Sequence, residues 1–401
     1  MANPTINVLS PTAFQQYSTR SGSFTSDANA LISNVPVAGY ALADLIDSGC
    51  VPLAANPFAN PRNLLDGSDF TINPWQRNIP GLASGGVIST AVTNTPTYFA
   101  DRFFAVGNAS SAILMANVAD SSIPGFSNSL LLTRQAANTN TAAINFGQVV
   151  ETADSIKTQG QVLTLSFWAR TGANYSGGNL SVQLYSGTGS NQSAANMVAG
   201  SWTGSTLASL VPSAANGISG TTAQQPLTSS MTRYSFTTAA AIPANASQLG
   251  FMISFTPSGT AGAQDGIFVN GFQLEIGTQM SPFEKEDVQI VLEECQRYCA
   301  VLAEPASGNV VAAGTNTGAT SQIILWQLPA QMYKSPSFIS ALGLFKTQQA
   351  GTLTAITTLA ASGTHTVNQV GISANSTGTA GQGTLLQGGG GNGYLMATAD
   401  F

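Results

Sequence analysis

The sequence predicts a mainly β protein: an antiparallel sandwich, one connecting α-helix and a small C-terminal β-domain. Three observations carry that prediction. Apolar residues alternate along Leu163, Leu165 and Phe167, along Leu180, Val182 and Leu184, and along Leu249, Phe251, Ile253 and Phe255. Only residues 286–304 show the i, i+3, i+4 apolar stripe of a long helix. No helix of crossover length separates the strand-like runs, so they are expected to pair antiparallel. Each run then needs a second sheet over its apolar face, which makes two layers.

Composition narrows the function classes. A chain of 401 residues is long enough for two or three domains. Its charged fraction is 7%, against about 25% in ordinary globular proteins. The stretches Thr171–Thr232 and Thr347–Ala399 contain no Asp, Glu, Lys or Arg. Such neutrality suits β-rich assemblies better than disordered segments, although residues 187–230 are long for a loop. A net charge of −6 with 12 scattered basic residues argues against nucleic acid as a partner. No apolar run spans a bilayer, and Met1–Phe14 lacks the basic start and apolar core of a signal peptide, so no membrane insertion is expected.

In chain order, residues 1–60 read as a small module of their own. A hairpin is expected around Phe14, Tyr17 and Phe24 with Gly22 as its turn, then a short helix over Val37–Asp47 stopped by Gly49. Ala54–Pro61, AANPFANP, reads as a linker. The sandwich is expected over residues 61–285. Its last strand alternates Phe272, Leu274 and Ile276 with Gln273 and Glu275, which are placed on the wet face.

The helix is expected over 286–304, with acidic Glu286 and Asp287 at its N-terminus and Pro305 barring continuation. Val288, Val291, Leu292, Cys295, Tyr298, Cys299 and Leu302 form its stripe. That stripe can be buried against copies of itself around a threefold axis or against the chain's own sandwich. The first is expected, giving a homotrimer. Cys295 and Cys299 are expected to be reduced and buried, since side chains one helical turn apart fit disulfide geometry poorly. Residues 305–401 form the C-terminal β-domain, with a buried strand at Gln322–Leu328 and a closing strand within Tyr394–Phe401.

Catalytic material is thin. His365 is the single histidine, and HExxH, CxxC, GxGxxG and GxxxxGK[ST] are absent. A glycosidase needs only two carboxylates, and Asp66, Asp69, Asp101, Asp120, Glu151, Asp154 and Asp265 are the candidates. Most stand in turn-like contexts, and no β-helix period is present. The expectation is therefore no catalytic residue, no cofactor and no enzyme, with any metal undetermined. Sugar recognition asks only for exposed aromatics beside amides and hydroxyls. Trp202, Trp75, Tyr175 and Tyr185 are the candidates, Trp202 foremost because no core stripe explains it in AGSWTGST. Trp168 lies in a strand and is expected to be packed.

Several phrases resemble virion proteins of tailed bacteriophages. Gln273–Gly277 (QLEIG), Ser281–Glu284 (SPFE) and Glu294–Tyr298 (ECQRY) resemble the joint between a jelly-roll module and the tip of phage fibres, with Cys299 where such proteins often carry a second aromatic. Asn63–Arg77 (NLLDGSDFTINPWQR) and Ala100–Phe104 (ADRFF) resemble their carbohydrate-binding, galactose-binding-like jelly-roll modules. Leu328–Phe338 (LPAQMYKSPSF) resembles the strand after the helix in fibre tips. Ser26–Ile32 (SDANALI) and Ala41–Leu53 (ALADLIDSGCVPL) resemble small proteins encoded near phage capsid genes.

These resemblances imply a trimeric tail fibre, head fibre or head decoration in the virion, assembled in the host cytoplasm. Residues 1–60 would hold other virion proteins, and exposed aromatics would contact host surface glycans. A decoration protein without a ligand and a polysaccharide depolymerase are the alternatives.

Overall fold

Alternation along the chain becomes strand after strand in the computed structural model, which describes residues 63–82, 87–89, 95–107, 112–214, 216–363 and 365–401. The hairpin, helix and linker expected in residues 1–60 lie outside the described residues. The first strands are β1 (Val87–Ser89), β2 (Thr97–Tyr98), β3 (Phe104–Gly107), β4 (Ala112–Ala119), β5 (Asn128–Arg134) and β6 (Ile144–Val150). A short helix α1 (Thr152–Ser155) leads to β7 (Leu163–Thr171) and β8 (Leu180–Gly187). Helix α2 (Ala194–Val198) precedes β9 (Thr206–Leu207), β10 (Leu210–Pro212), β11 (Ala223–Gln225), β12 (Thr232–Thr238), β13 (Gln248–Phe255) and β14 (Gly266–Ile276).

These strands make two facing sheets. The first has the order β1-β4-β5-β14-β7-β12-β10, the second β11-β8-β13-β6-β3-β2 with β9 beside β8. Every strand pair among the described residues is antiparallel, as the missing crossovers require. The three alternating runs turn inward into one core, centred on Phe70, Phe103, Phe146, Phe251 and Phe272. Phe103 stacks on Phe146 at 5.3 Å and Phe251 on Phe272 at 5.2 Å, offset contacts that add to plain burial. The uncharged stretch from 187 to 230 is held by short elements rather than left as one loop.

Helix α3 runs from Val288 to Gln296, capped by Asp287, whose carboxylate accepts from Gln289 N at 2.8 Å. This corrects the helix expected over 286–304. The chain turns at Arg297 and Tyr298 and continues as β15 (Cys299–Ala303). Five residue pairs join β15 to the last strand, β24 (Tyr394–Thr398), and that ladder outcompetes helix propagation. A short apolar run such as YCAVLA fits either period, so local sequence could not decide. Cys299 and Leu302 therefore belong to a strand, while Val291 and Cys295 are buried against the chain itself.

Between β15 and β24 lie β16 (Val310–Asn316), β17 (Gln322–Gln327), β18 (Ser337–Ala341), β19 (Lys346–Gln349), β20 (Thr352–Ala355), β21 (Thr358–Ala361), β22 (Gln369–Asn375) and β23 (Gly383–Gln387). They form a third sheet, β15-β24-β18, and a fourth, β20-β19-β23-β16-β17-β22-β21. Ala312, Ile324, Trp326, Val370, Ile372 and Leu386 of the fourth meet Ala300, Leu395 and Ala397 of the third. The other face of the third sheet, with Cys299, Tyr394 and Met396, packs on Ile79 and Leu82. Residues 63–401 accordingly make one compact unit.

Glu304 shapes the glycine-rich run before β24. Its carboxylate accepts from the backbone N–H of Leu344, Gly389 and Gly393, each at 2.9 Å. A Cβ on Gly343, Gly391 or Gly393 would stand 2.0, 2.9 or 2.8 Å from Oε2 of Glu304, so the approach needs glycine. Burial pushes the Glu304 pKa up, but the N–H donors outweigh it and hold the group below its ordinary value. Its contribution is therefore present above the unfolded pKa and lost as pH falls through the lower folded one. Glu304→Gln should cost about 2–3 kcal/mol at pH 7, and the deficit should shrink near pH 3; urea titrations at the two pH values check it.

Candidate functional site

Segments that are far apart in sequence interlock at one joint. Asn63 Nδ2 donates to Phe272 O at 3.0 Å, Leu274 N donates back to Asn63 Oδ1 at 3.0 Å, and Asn63 N donates to Glu284 at 2.9 Å. Gln273 and Glu275, expected on a wet face, are buried. Gln273 Nε2 donates to Glu275 and to Ser281, both at 2.9 Å, and Glu284 N donates to Gln273 Oε1 at 2.8 Å. The segment after β14 thus folds back and covers that face, which strand periodicity cannot reveal.

The second half of the joint is ionic. Asn73 bonds the backbone of Gly67 and Asp101, and Asp101 accepts from Gln76 N at 2.8 Å. Arg77 lies between Asp101, 3.6 Å away, and Asp400. Arg102 donates to Asp66 at 2.8 Å and to Val149 O at 2.9 Å, with its guanidinium 3.4 Å over the Tyr298 ring. Phe401 stacks on Tyr333 at 4.8 Å beside them. Trp75 and Arg102 have φ of 47° and 72°, a left-handed backbone held by these partners.

The joint also gathers carboxylates that the sequence did not connect. Burial, then the charge of Asp66, pushes Glu286 up to about 7 and Glu294 up to about 8; Glu284 adds to the first and Glu286 to the second, against Arg102 and Arg297. Asp101, buried with Arg77 opposing, rises to about 6. Burial of this kind favours the protonated form of each carboxyl. The candidate carboxylates named from sequence are otherwise engaged. Asp69 accepts from Thr71 N; Asp120 pairs with Arg170, Glu151 with Arg297, Asp154 with Lys157 and Asp265 with Arg134. Among the described residues no group of His, Cys, Asp or Glu could hold a metal.

The proposed sugar-stacking aromatics are largely inside. Trp202 is 3% exposed: its Nε1 donates to Ser193 O at 2.9 Å, and its ring lies over Gly250 of β13, where a Cβ would meet it at 2.9 Å. That glycine is the sequence signal for the slot. Tyr185 packs on Trp202, and Trp75 donates to Phe70 O within the core. Tyr175 is half-buried on Phe255, with its hydroxyl enclosed. Trp168 is packed as expected, between Phe126, Phe283 and Arg233.

Tyr175 belongs to a cluster of uncharged loops knitted by one guanidinium. Arg134, fully buried, pairs with Asp265 and donates to the carbonyls of Asn140, Ser258 and Gly259 at 2.7–3.1 Å. Asp265 in turn accepts from Ser176 N at 2.8 Å. Exposed Asn174, Thr260 and Gln264 line the loop tips. A separate apolar groove of about 500 Å³ lies at the fourth sheet, lined in part by Leu302, Pro305, Val310, Leu325 and Trp326.

No family model and no curated protein matches the chain. Among solved structures it is similar to the enzymatically active domain of tailspike protein 4 of bacteriophage CBA120, with 13% identity and a TM-score of 0.28 over 51% of this chain and 23% of that one. It is also similar to the arabinose-bound α-L-arabinofuranosidase MgGH51, at 17% identity and TM-score 0.28 over 64% of this chain and 37% of that one. A third is the CBM22-1–CBM22-2 tandem of Paenibacillus barcinonensis Xyn10C, at 12% and 0.25 over 79% of this chain and 97% of that one. At these scores the likenesses transfer no ligand, substrate or partner. They do correct one expectation: the exclusion of an enzyme is not retained, because two of the three are enzymes.

Two outcomes follow for the joint. Glu294 has a folded pKa above its unfolded value of 4.5, so its stabilising share is complete below that value and is lost as pH rises through about 8. The melting temperature should fall between pH 5 and pH 9, and Glu294→Gln should flatten that fall in calorimetric scans. Cys295 and Cys299 are 0% and 1% exposed and unpaired, and burial raises both thiol pKa values. In a Cys50→Ser background both should label only after denaturation, with no reductant required.

Proposed function

We propose that the chain is a structural protein of a tailed-bacteriophage virion, a homotrimeric fibre of tail or head that contacts host surface glycans. One observation carries this reading. The phrases that resemble phage fibres, NLLDGSDFTINPWQR, ADRFF, QLEIG, SPFE and ECQRY, are the phrases that meet at the joint: Asn63 with Leu274 and Glu284, Arg77 with Asp101, Arg102 with Tyr298. A resemblance spread over five separate segments thus corresponds to a single set of mutual contacts. In this reading residues 1–60 attach to other virion proteins and the chain assembles in the host cytoplasm.

Glycan contact is assigned to the loop cluster around Arg134 rather than to Trp202, Trp75 or Tyr185, whose rings are buried. Loops held by a buried ion pair present fixed hydroxyls and amides, which bond sugar hydroxyls without needing charge. Binding should be weak per site, strengthened by threefold display and nearly independent of salt. Thr260→Arg at the exposed tip should abolish glycan-array binding with the melting temperature unchanged. Gold-labelled antibody to the chain should decorate intact virions. Unlabelled particles would sink the virion reading, and release of reducing ends would show that the sugar is cleaved as well as held.

A further inference from the structure

The outer face of the fourth sheet carries a row set by strand register: Leu353, Gln348, Leu385, Ala313, Leu325 and Gly371, one residue from each of six adjacent strands. Leu353 is 49% and Leu325 39% exposed, Ala313 is exposed between them, Gln348 and Leu385 are half-buried, and Gly371 at the end of the row is buried. The seven strands contain a single charged residue, Lys346 at the end of β19. The edge strands β20 and β21, TLTA and TLAA, have none of the Lys, Glu or Pro that protect an open sheet edge from another chain. Residues 305–401 hold two lysines and one aspartate, so the negative surplus of the chain lies in residues 1–304.

We infer that this face is covered by further copies of the same chain, arranged with their fourth sheets turned toward a shared threefold axis. The inference rests on the trimer proposed above and names the surface that makes it. Side chains near a symmetry axis meet their own copies, so any charge there would face a like charge in a desolvated contact. A neutral face satisfies that condition, and copies carrying −6 each have reason to meet there rather than through their acidic parts. The seven strands hold 37 residues and offer roughly 600 Å² of face, the lower end of what each partner buries in a standard stable interface. The groove at Leu302 and Pro305 shares Ala313 and Leu325 with the row and Ala312 and Trp326 with the inner face.

Light scattering on the full chain tests this. The unmodified chain should have three times the monomer mass, and Leu325→Glu with Leu353→Glu should reduce it threefold while circular dichroism is unchanged. Val288→Glu, equally exposed on α3, should stay trimeric. If the double variant remains trimeric, the face is not the contact and the trimer stands. An unmodified chain that is monomeric overturns both. Should the double variant misfold, Leu353→Glu alone on the edge strand decides in the same way.

Discussion

The guanidinium of Arg102 is the contact on which the rest of the structure depends. It touches Asp66 of the first segment, the Val149 carbonyl of the sandwich, the Tyr298 ring after α3 and the Phe401 ring at the end of the chain. Arg77 repeats the pattern between Asp101 and Asp400. Because both guanidiniums are buried, removing a carboxylate partner leaves a charge in a low dielectric, a loss of about 3 kcal/mol. The two arginines therefore make the sandwich, α3 and the C-terminal sheets cooperative.

Several of the few charges among the described residues lie inside, where an ordinary globular chain keeps most of them at the surface. Arg77, Arg102 and Arg134 are buried with carboxylate partners, and Glu304 is surrounded by backbone donors. Each node fixes segments with no hydrophobic reason to adopt one position. The Arg134 pair locks three loops; Glu304 locks the glycine run; Asn63 and Gln273 lock the return after β14. What remains at the surface is mostly Ser, Thr, Asn, Gln, Gly and Ala, together with exposed leucines on the fourth sheet. A surface without repulsive charge lowers the electrostatic cost of contact with other chains.

The carboxylates of Asp66, Glu286 and Glu294 are a different kind of node. They share one partly buried place, and burial with the neighbouring negative charge pushes Glu286 up to about 7 and Glu294 up to about 8. This makes the surroundings of α3 sensitive to rising pH, the opposite sign to the Glu304 node.

Alternation by itself determined the antiparallel sandwich, its inward rows and the closing strand at β24, because a period of two leaves an amphipathic strand only one way to face a core. The amphipathic start of α3 at Val288 and Val291 was equally legible, as was the packed Trp168. The end of α3 was not, since the pairing of Cys299–Ala303 with Tyr394–Thr398 is made by residues about ninety apart. Gln273, Glu275, Trp202 and Trp75 were misplaced for the same reason: local pattern reports what a side chain is, and the segment that folds over it comes from elsewhere. The charged joint, the loop cage of Arg134 and the neutral row from Leu353 to Gly371 are products of register and topology. They were decided only when distant strands came together and buried charges had to find partners.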